Sequence, residues 1–334
     1  MTLSVFIYKV KSRLWGKLVR YSRNQPFYPC LYRSYWHYKL CSSTKTTNTT
    51  CYYAARPNSG AGIGHQLANW IAGYWFAKQF GLKFAHLPFS NQKWEDFLGF
   101  GEGEQPIKEL VNTGYKLRKL PLFNEYNSQE VVRIKAIIQS YAGKKIVFLA
   151  EQDQFYRDQF GVMDDIKHKF HHAKSRTKDK LIYSKENFNI AIHVRRGDIV
   201  VGQQSKNPNL LMRWQNNNYF TKVLTTALEK LKTNKPVSIY LFSQGEIEDF
   251  QDFKHFQNMH FCLDMDAQDS FLHLVYADLL ITSKSSFSYK PALLSDGIKI
   301  CPADFWHGYP DDKNWILVEN DETFDAHRNT THRI

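Results

Sequence analysis

Phe188-Asn189-Ile190-Ala191-Ile192-His193-Val194-Arg195-Arg196-Gly197-Asp198 is the stretch that decides how this chain is read. Its first half is short and apolar, which predicts a buried strand over 188–194. Its second half gathers an imidazole, two guanidiniums and a carboxylate at the strand's carboxyl end. In open α/β sheets ligands sit beyond those ends, so chemistry is expected here. Arginine grips phosphate oxygens through paired N–H bonds and keeps its charge at any relevant pH. A plainer reading stays open at this point: surface arginines bridging to Asp198.

Downstream the hydrophobic period alternates between helix and strand. Helices are predicted over 219–231, 246–253, 270–276 and 289–294, and strands over 237–243, 259–263, 278–282 and 299–301. Upstream lies a first series: a strand over 51–56, a Gly-rich turn over 57–64, a helix over 65–80 and a strand over 83–87. A long, partly helical stretch then leads to a strand over 145–150. Strands alternating with helices imply parallel sheets covered on both faces. The expected architecture is α/β, two Rossmann-like domains at 51–170 and 185–308 whose sheets face a cleft. A basic helix over 1–22 and an irregular tether over 23–50 precede them, and a tail over 309–334 follows.

A second motif occupies residues 278–289, Asp-Leu-Leu-Ile-Thr-Ser-Lys-Ser-Ser-Phe-Ser-Tyr. A buried strand ending in hydroxyl residues ahead of a helix makes an anion site, because hydroxyls and free N–H groups converge at the helix N-terminus. A lone Ser285 or Ser288 would read as an ordinary cap. Three serines bracketing Phe287 are poorly explained that way.

Together these two motifs carry a resemblance. His193-x-Arg195-Arg196-Gly197-Asp198 after a strand, then Ser285-Ser286-Phe287-Ser288 after Ala277-Asp278-x-Leu280-Ile281, resembles the superfamily of α1,2-, α1,6- and protein O-fucosyltransferases, its α1,2 branch most. The turn Gly60-Ala61-Gly62-Ile63-Gly64-His65-Gln66 is similar to that superfamily's first Gly-rich loop, and Ser243-Gln244 to its Phe-Ser-Asp segment. The likeness runs in short blocks over residues 51 to 308. His65 stands where the loop usually has Asn, Tyr289 where the α1,2 branch has Trp, and Gln244 where an acidic residue is usual.

The resemblance implies a GT-B glycosyltransferase that moves L-fucose from GDP-fucose to a glycan hydroxyl, with inversion, no metal and no further cofactor. Arg195 would hold the donor diphosphate beside Arg196, with His193 near the nucleotide. Ser285, Ser286, Phe287 and Ser288 would complete the pocket, and Gly62 and Gly64 would line it. Asp269 lies near a carboxylate that reads the guanine edge in the α1,6 branch. Two alternatives stay open: another nucleotide-sugar donor, or a non-catalytic glycan- or nucleotide-binding protein of the same fold.

An inverting transfer needs a base for the acceptor hydroxyl. His65, with an ordinary pKa near 6.5, and Asp198 are the two candidates, and each has a plain structural alternative. Asp264-Met265-Asp266 could attract a hard cation, but the arginine and serine clusters already supply counter-charge. No metal site is therefore expected.

Composition bounds the rest. A chain of 334 residues holds one large or two ordinary domains. Its 24 Phe, 19 Tyr and 8 Trp fit sugar-stacking surfaces and equally a filled α/β core. A net charge of +12 favours anionic partners, nucleotides and acidic lipids ahead of nucleic acid, for which no motif is present. Five cysteines without a Cys-x-x-Cys pair argue against zinc, and no Gly-x-x-x-x-Gly-Lys run marks a P-loop. Leu3, Phe6, Ile7, Val10, Leu14 and Leu18 form one helical stripe, with Lys9, Lys11, Arg13, Lys17 and Arg20 filling much of the remainder. Such a helix either rests on an anionic membrane or docks on its own domain. With no secretory signal pattern, a cytoplasmic location is expected, peripheral at the membrane's cytoplasmic face if the helix rests there, ahead of the Golgi lumen.

Overall fold

Both α/β series fold as sheets. The computed structural model describes residues 3–41, 50–151, 154–200, 208–319 and 324–325. The first sheet joins β1 (Tyr52–Ala54), β2 (Lys83–His86), β3 (Gln105–Pro106), β4 (Lys116–Lys119) and β5 (Ile146–Leu149) in the order β3-β2-β1-β5-β4, every pair parallel. Tyr53, Ala54, Val147 and Phe148 are wholly buried, as strands covered on both faces require. β3 and β4 were not anticipated. β4 reads Lys-Leu-Arg-Lys on a largely exposed edge, so it has no apolar alternation to betray it.

The second sheet holds β6 (Phe188–His193), β7 (Val237–Ser243), β8 (Met259–Leu263), β9 (Leu279–Ile281), β10 (Ile298–Pro302), β11 (Trp315–Val318) and β12 (Phe324–Asp325). Its order is β12-β11-β10-β9-β6-β7-β8, parallel except for the short β12. Counted from β6, the parallel strands run 3-2-1-4-5-6, the order of dinucleotide-binding sheets. Ile190, Ile192, Leu241 and Ile281 pack on Phe220, Val223 and Leu224 of the helix Asn217–Lys230. Each such burial stabilises the fold by roughly 1.5–3 kcal/mol. That helix starts where Asn216 caps Tyr219 N at 2.9 Å. Its buried positions recur at one- and three-residue steps along a single face.

Contacts divide the chain differently from the sequence expectation. One unit comprises residues 1–58, 69–88 and 103–156; the other comprises 59–68, 89–102 and 157–334. The Gly-rich turn therefore belongs with the second sheet, although the helix Ile63–Gln79 that it opens runs on into the first unit.

Two expected non-domain segments are structured. Within 23–50, taken as an irregular tether, Arg33–Leu40 is a helix; Ser34 Oγ donates to Lys119 O at 2.7 Å and His37 stacks on Tyr141. The aromatic residues that broke the helical pattern there are the ones that pack: Tyr28 and Tyr32 are buried, and Tyr32 donates to Glu151 at 3.0 Å. Residues 42–49 lie outside the described part. The tail over 309–334 contains β11, hydrogen-bonded parallel to β10. The first helix, Leu3–Ser22, docks through Val19 and Ser22, both buried, and through Trp15, whose ring N–H donates to Glu151 at 2.9 Å.

Candidate active site at the ends of β6 and β9

In the second sheet the strand order reverses between β6 and β9, and residues just beyond their carboxyl ends meet. His193 Nδ1 lies 2.8 Å from Ser283 Oγ, and Arg195 Nη1 donates to Ser285 Oγ at 3.2 Å. Segments about 90 residues apart in sequence are thus joined twice. Ser285 caps the helix Ser286–Leu294, its fully buried oxygen accepting from Phe287 N at 3.2 Å. The helix N-terminus, with its free N–H groups and partial positive charge, is therefore presented beside a guanidinium.

The two arginines do different things. Arg195 bonds Ser285 and, through Nη2, Asp198 Oδ2 at 2.8 Å; Asp198 itself is 60% exposed. Arg196 is spent on the protein: it donates to Gln215 O at 3.1 Å and Asn217 Oδ1 at 2.6 Å, and stacks on Trp214 at 4.3 Å. Burial lowers it to about 10, still charged at neutral pH. It clamps the loop that aims Arg195, whereas the sequence had paired both as donor ligands. The turn between Arg195 and Asp198 needs Gly197, whose φ of +61° is left-handed.

His193 is buried and held neutral, pushed down to about 3 by burial and then by the charges of Arg195 and Arg196. Its ring lies 5.4 Å from that of Phe287, which also meets Phe271 at 5.8 Å and Trp94 at 6.5 Å. Ser288 turns inward, donating to the Ser283 and Ser285 carbonyls at 3.3 Å, so it builds the turn. Ser286 stays half-buried at the first helical position.

The Gly-rich turn abuts this helix start. A Cβ on Gly64 would fall 2.7 Å from the Ser286 carbonyl carbon, so only glycine allows the approach. Gly62 has open space. His65 is exposed in the same turn, within electrostatic range of His307, which burial and then Lys290 depress to about 2.

Asp269 is not in this cluster. It is exposed on the first turn of Ala267–Tyr276 and lines a groove with Lys93, Glu102, Arg176 and His273; that lining includes neither Arg195 nor Ser285. Asp266 caps the same helix, accepting from Gln268 N at 2.8 Å. Among the described residues no group of three His, Cys, Asp or Glu is placed to hold a metal ion.

Sequence reasoning missed three contributors. Gln215 Oε1 accepts from Lys284 N at 2.8 Å, tying the two motif loops together. Arg213 stacks on Trp306 at 4.8 Å, and burial followed by the Arg195 charge lowers its pKa. Lys290 is fully buried, bonded to Gln159, and burial drives its pKa well down. None stands in a patterned motif; only the strand-order reversal brings Gln215 and Arg213 to the motif residues.

No family model matches the sequence, and no curated protein does. Among solved structures, the chain is similar to the fucosyltransferase NodZ from Bradyrhizobium, at 11% identity and TM-score 0.44, covering 84% of this chain and 98% of that one. It is also similar to apo POFUT1, at 12% identity and TM-score 0.45, over 76% of this chain and 97% of that one. A third is an Arabidopsis thaliana FUT1 mutant in complex with GDP, at 10% identity and TM-score 0.44, over 92% and 80%.

Proposed function

We propose that the protein is an inverting glycosyltransferase that moves L-fucose from GDP-fucose to a glycan hydroxyl without a metal ion. One observation carries this: Arg195 and the Ser285-capped helix start converge at the strand-order reversal of a 3-2-1-4-5-6 sheet. The donor's identity rests on the motif resemblance.

In this reading the diphosphate lies across the N-terminus of Ser286–Leu294, with Arg195 on its oxygens. As the glycosidic bond breaks, the departing diphosphate gains charge. A fixed guanidinium and a helix N-terminus then hold it more tightly in the transition state than in the ground state. Neutral His193 adds no repulsion to the neighbouring arginines and backs the half-buried Phe287, which offers a ring face to the nucleotide base. Asp198 positions Arg195 through their ion pair. His65, exposed in the turn pressed on Ser286, is the base that takes the acceptor proton.

Calorimetric titration with GDP-fucose, GDP, GDP-mannose and UDP-sugars in excess EDTA tests the reading. Micromolar binding confined to GDP and GDP-fucose is expected, with turnover once an acceptor is supplied. Tight binding of a UDP-sugar, or binding only after Mn²⁺ is added, would overturn it. Donor binding without any turnover would leave a binding protein.

A further inference from the structure

The helix Leu3–Ser22 has three unlike sectors. Val19, Ser22 and Trp15 dock on the first unit. Beside that face, Ile7, Val10, Leu14, Leu18 and Tyr21 stand 38–81% exposed. Their spacing of three and four places them in one stripe along the helix. Along the stripe's far side Arg13, Lys17 and Arg20 are exposed, and the helix contains no acidic residue. Single exposed apolar residues are ordinary; five in one unbroken row are a contact surface.

We propose that this stripe seats the protein on an anionic membrane, the helix lying in the interface plane. Leu14 and Leu18 would enter the headgroup–acyl boundary while Arg13, Lys17 and Arg20 meet lipid phosphates. Charge complementarity selects this occupant, because a wholly basic rim repels an equally basic second copy. None of the described helices is long and apolar enough to cross a membrane, so the contact is interfacial. The docked third sector fixes the stripe's direction relative to the first unit. This proposal is independent of the transferase reading.

The test is co-sedimentation of the full chain with phosphatidylglycerol/phosphatidylcholine vesicles and with pure phosphatidylcholine. The wild type should bind the anionic vesicles and release them as salt rises. The double variant Leu14→Ser, Leu18→Ser should lose at least about tenfold in partition, and Lys17→Glu roughly tenfold on anionic vesicles alone. Both should keep the wild-type melting temperature, since the altered side chains are exposed. Three results would overturn the proposal: no wild-type binding to anionic vesicles, unchanged binding by the double variant, or a solution dimer that the double variant dissociates. The last would assign the stripe to a second copy.

Discussion

Gly64→Ala tests whether the Gly-rich turn is part of the donor site. In the first turn of Ile63–Gln79, alanine would ordinarily favour the helix by about 1 kcal/mol. Here its Cβ would stand 2.7 Å from the Ser286 carbonyl carbon, 2.8 Å from the oxygen and 2.9 Å from Ser286 Cβ. Two of those three atoms are backbone, so no rotamer relieves the clash, and the segments must part by about 0.7 Å to reach ordinary contact. Overpacking of this kind costs about 1–3 kcal/mol, leaving a net destabilisation of roughly 0–2 kcal/mol after the helix gain. Function should suffer more than stability. Displacing the helix start proposed to hold the diphosphate by most of an ångström should cut turnover about 10²-fold. Urea unfolding gives the first number, and calorimetric GDP binding with single-turnover kinetics the second. Gly62→Ala is the built-in control: its Cβ has nothing within 4 Å, so stability and GDP affinity should stay near wild type. A Gly64→Ala protein with wild-type GDP affinity and turnover would refute the contact's role.

Arg195→Ala should weaken GDP binding about 10–100-fold while changing stability by less than about 1 kcal/mol, since its ion-pair partner is exposed; calorimetry and unfolding titrations check both. Lys at the same position should recover charge but little of the paired-bond geometry. The His193 imidazole binds its proton near pH 3 when folded and near 6.5 when unfolded, so its contribution is whole above 6.5 and drains as pH falls toward 3. Wild-type stability should therefore fall by up to about 1.4 kcal/mol more per pH unit in that window than that of His193→Gln. Equal slopes would mean that His193 is not a buried neutral base. His65→Asn should abolish the rising acid limb of the rate profile and leave GDP affinity intact, whereas Asp198→Asn should weaken GDP binding through Arg195; the reverse pattern would exchange their roles.

Much of this molecule was legible because its signals are local. β6 and β9 are short, mainly apolar runs that end abruptly in charged or hydroxyl residues. Strand identity and the position of the strand's end both follow from composition over about ten residues. The serine run marked a helix start for the same local reason, although the expected helix, 289–294, began three residues after the observed Ser286 and so did not single out Ser285 as the cap.

What the sequence could not supply depends on pairings across long separations. Arg195 and Arg196 are neighbours of one type, yet one faces Ser285 and the other is consumed by Gln215 and Asn217. Residue type is silent on which way each turns. Asp269 was matched by nearness in sequence, and residue type could not tell that it stands on the exposed first turn of its helix, lining a groove with Lys93 and Arg176. β4 was overlooked because an edge strand needs little apolar pattern of its own, its ladder being supplied by β5; β11, four apolar residues between β10 and β12, was passed over as part of the tail. The sequence alone determined where strands end and which side chains stand there. Only the tertiary structure decided which of those ends meet, because strand order is set by packing between distant segments.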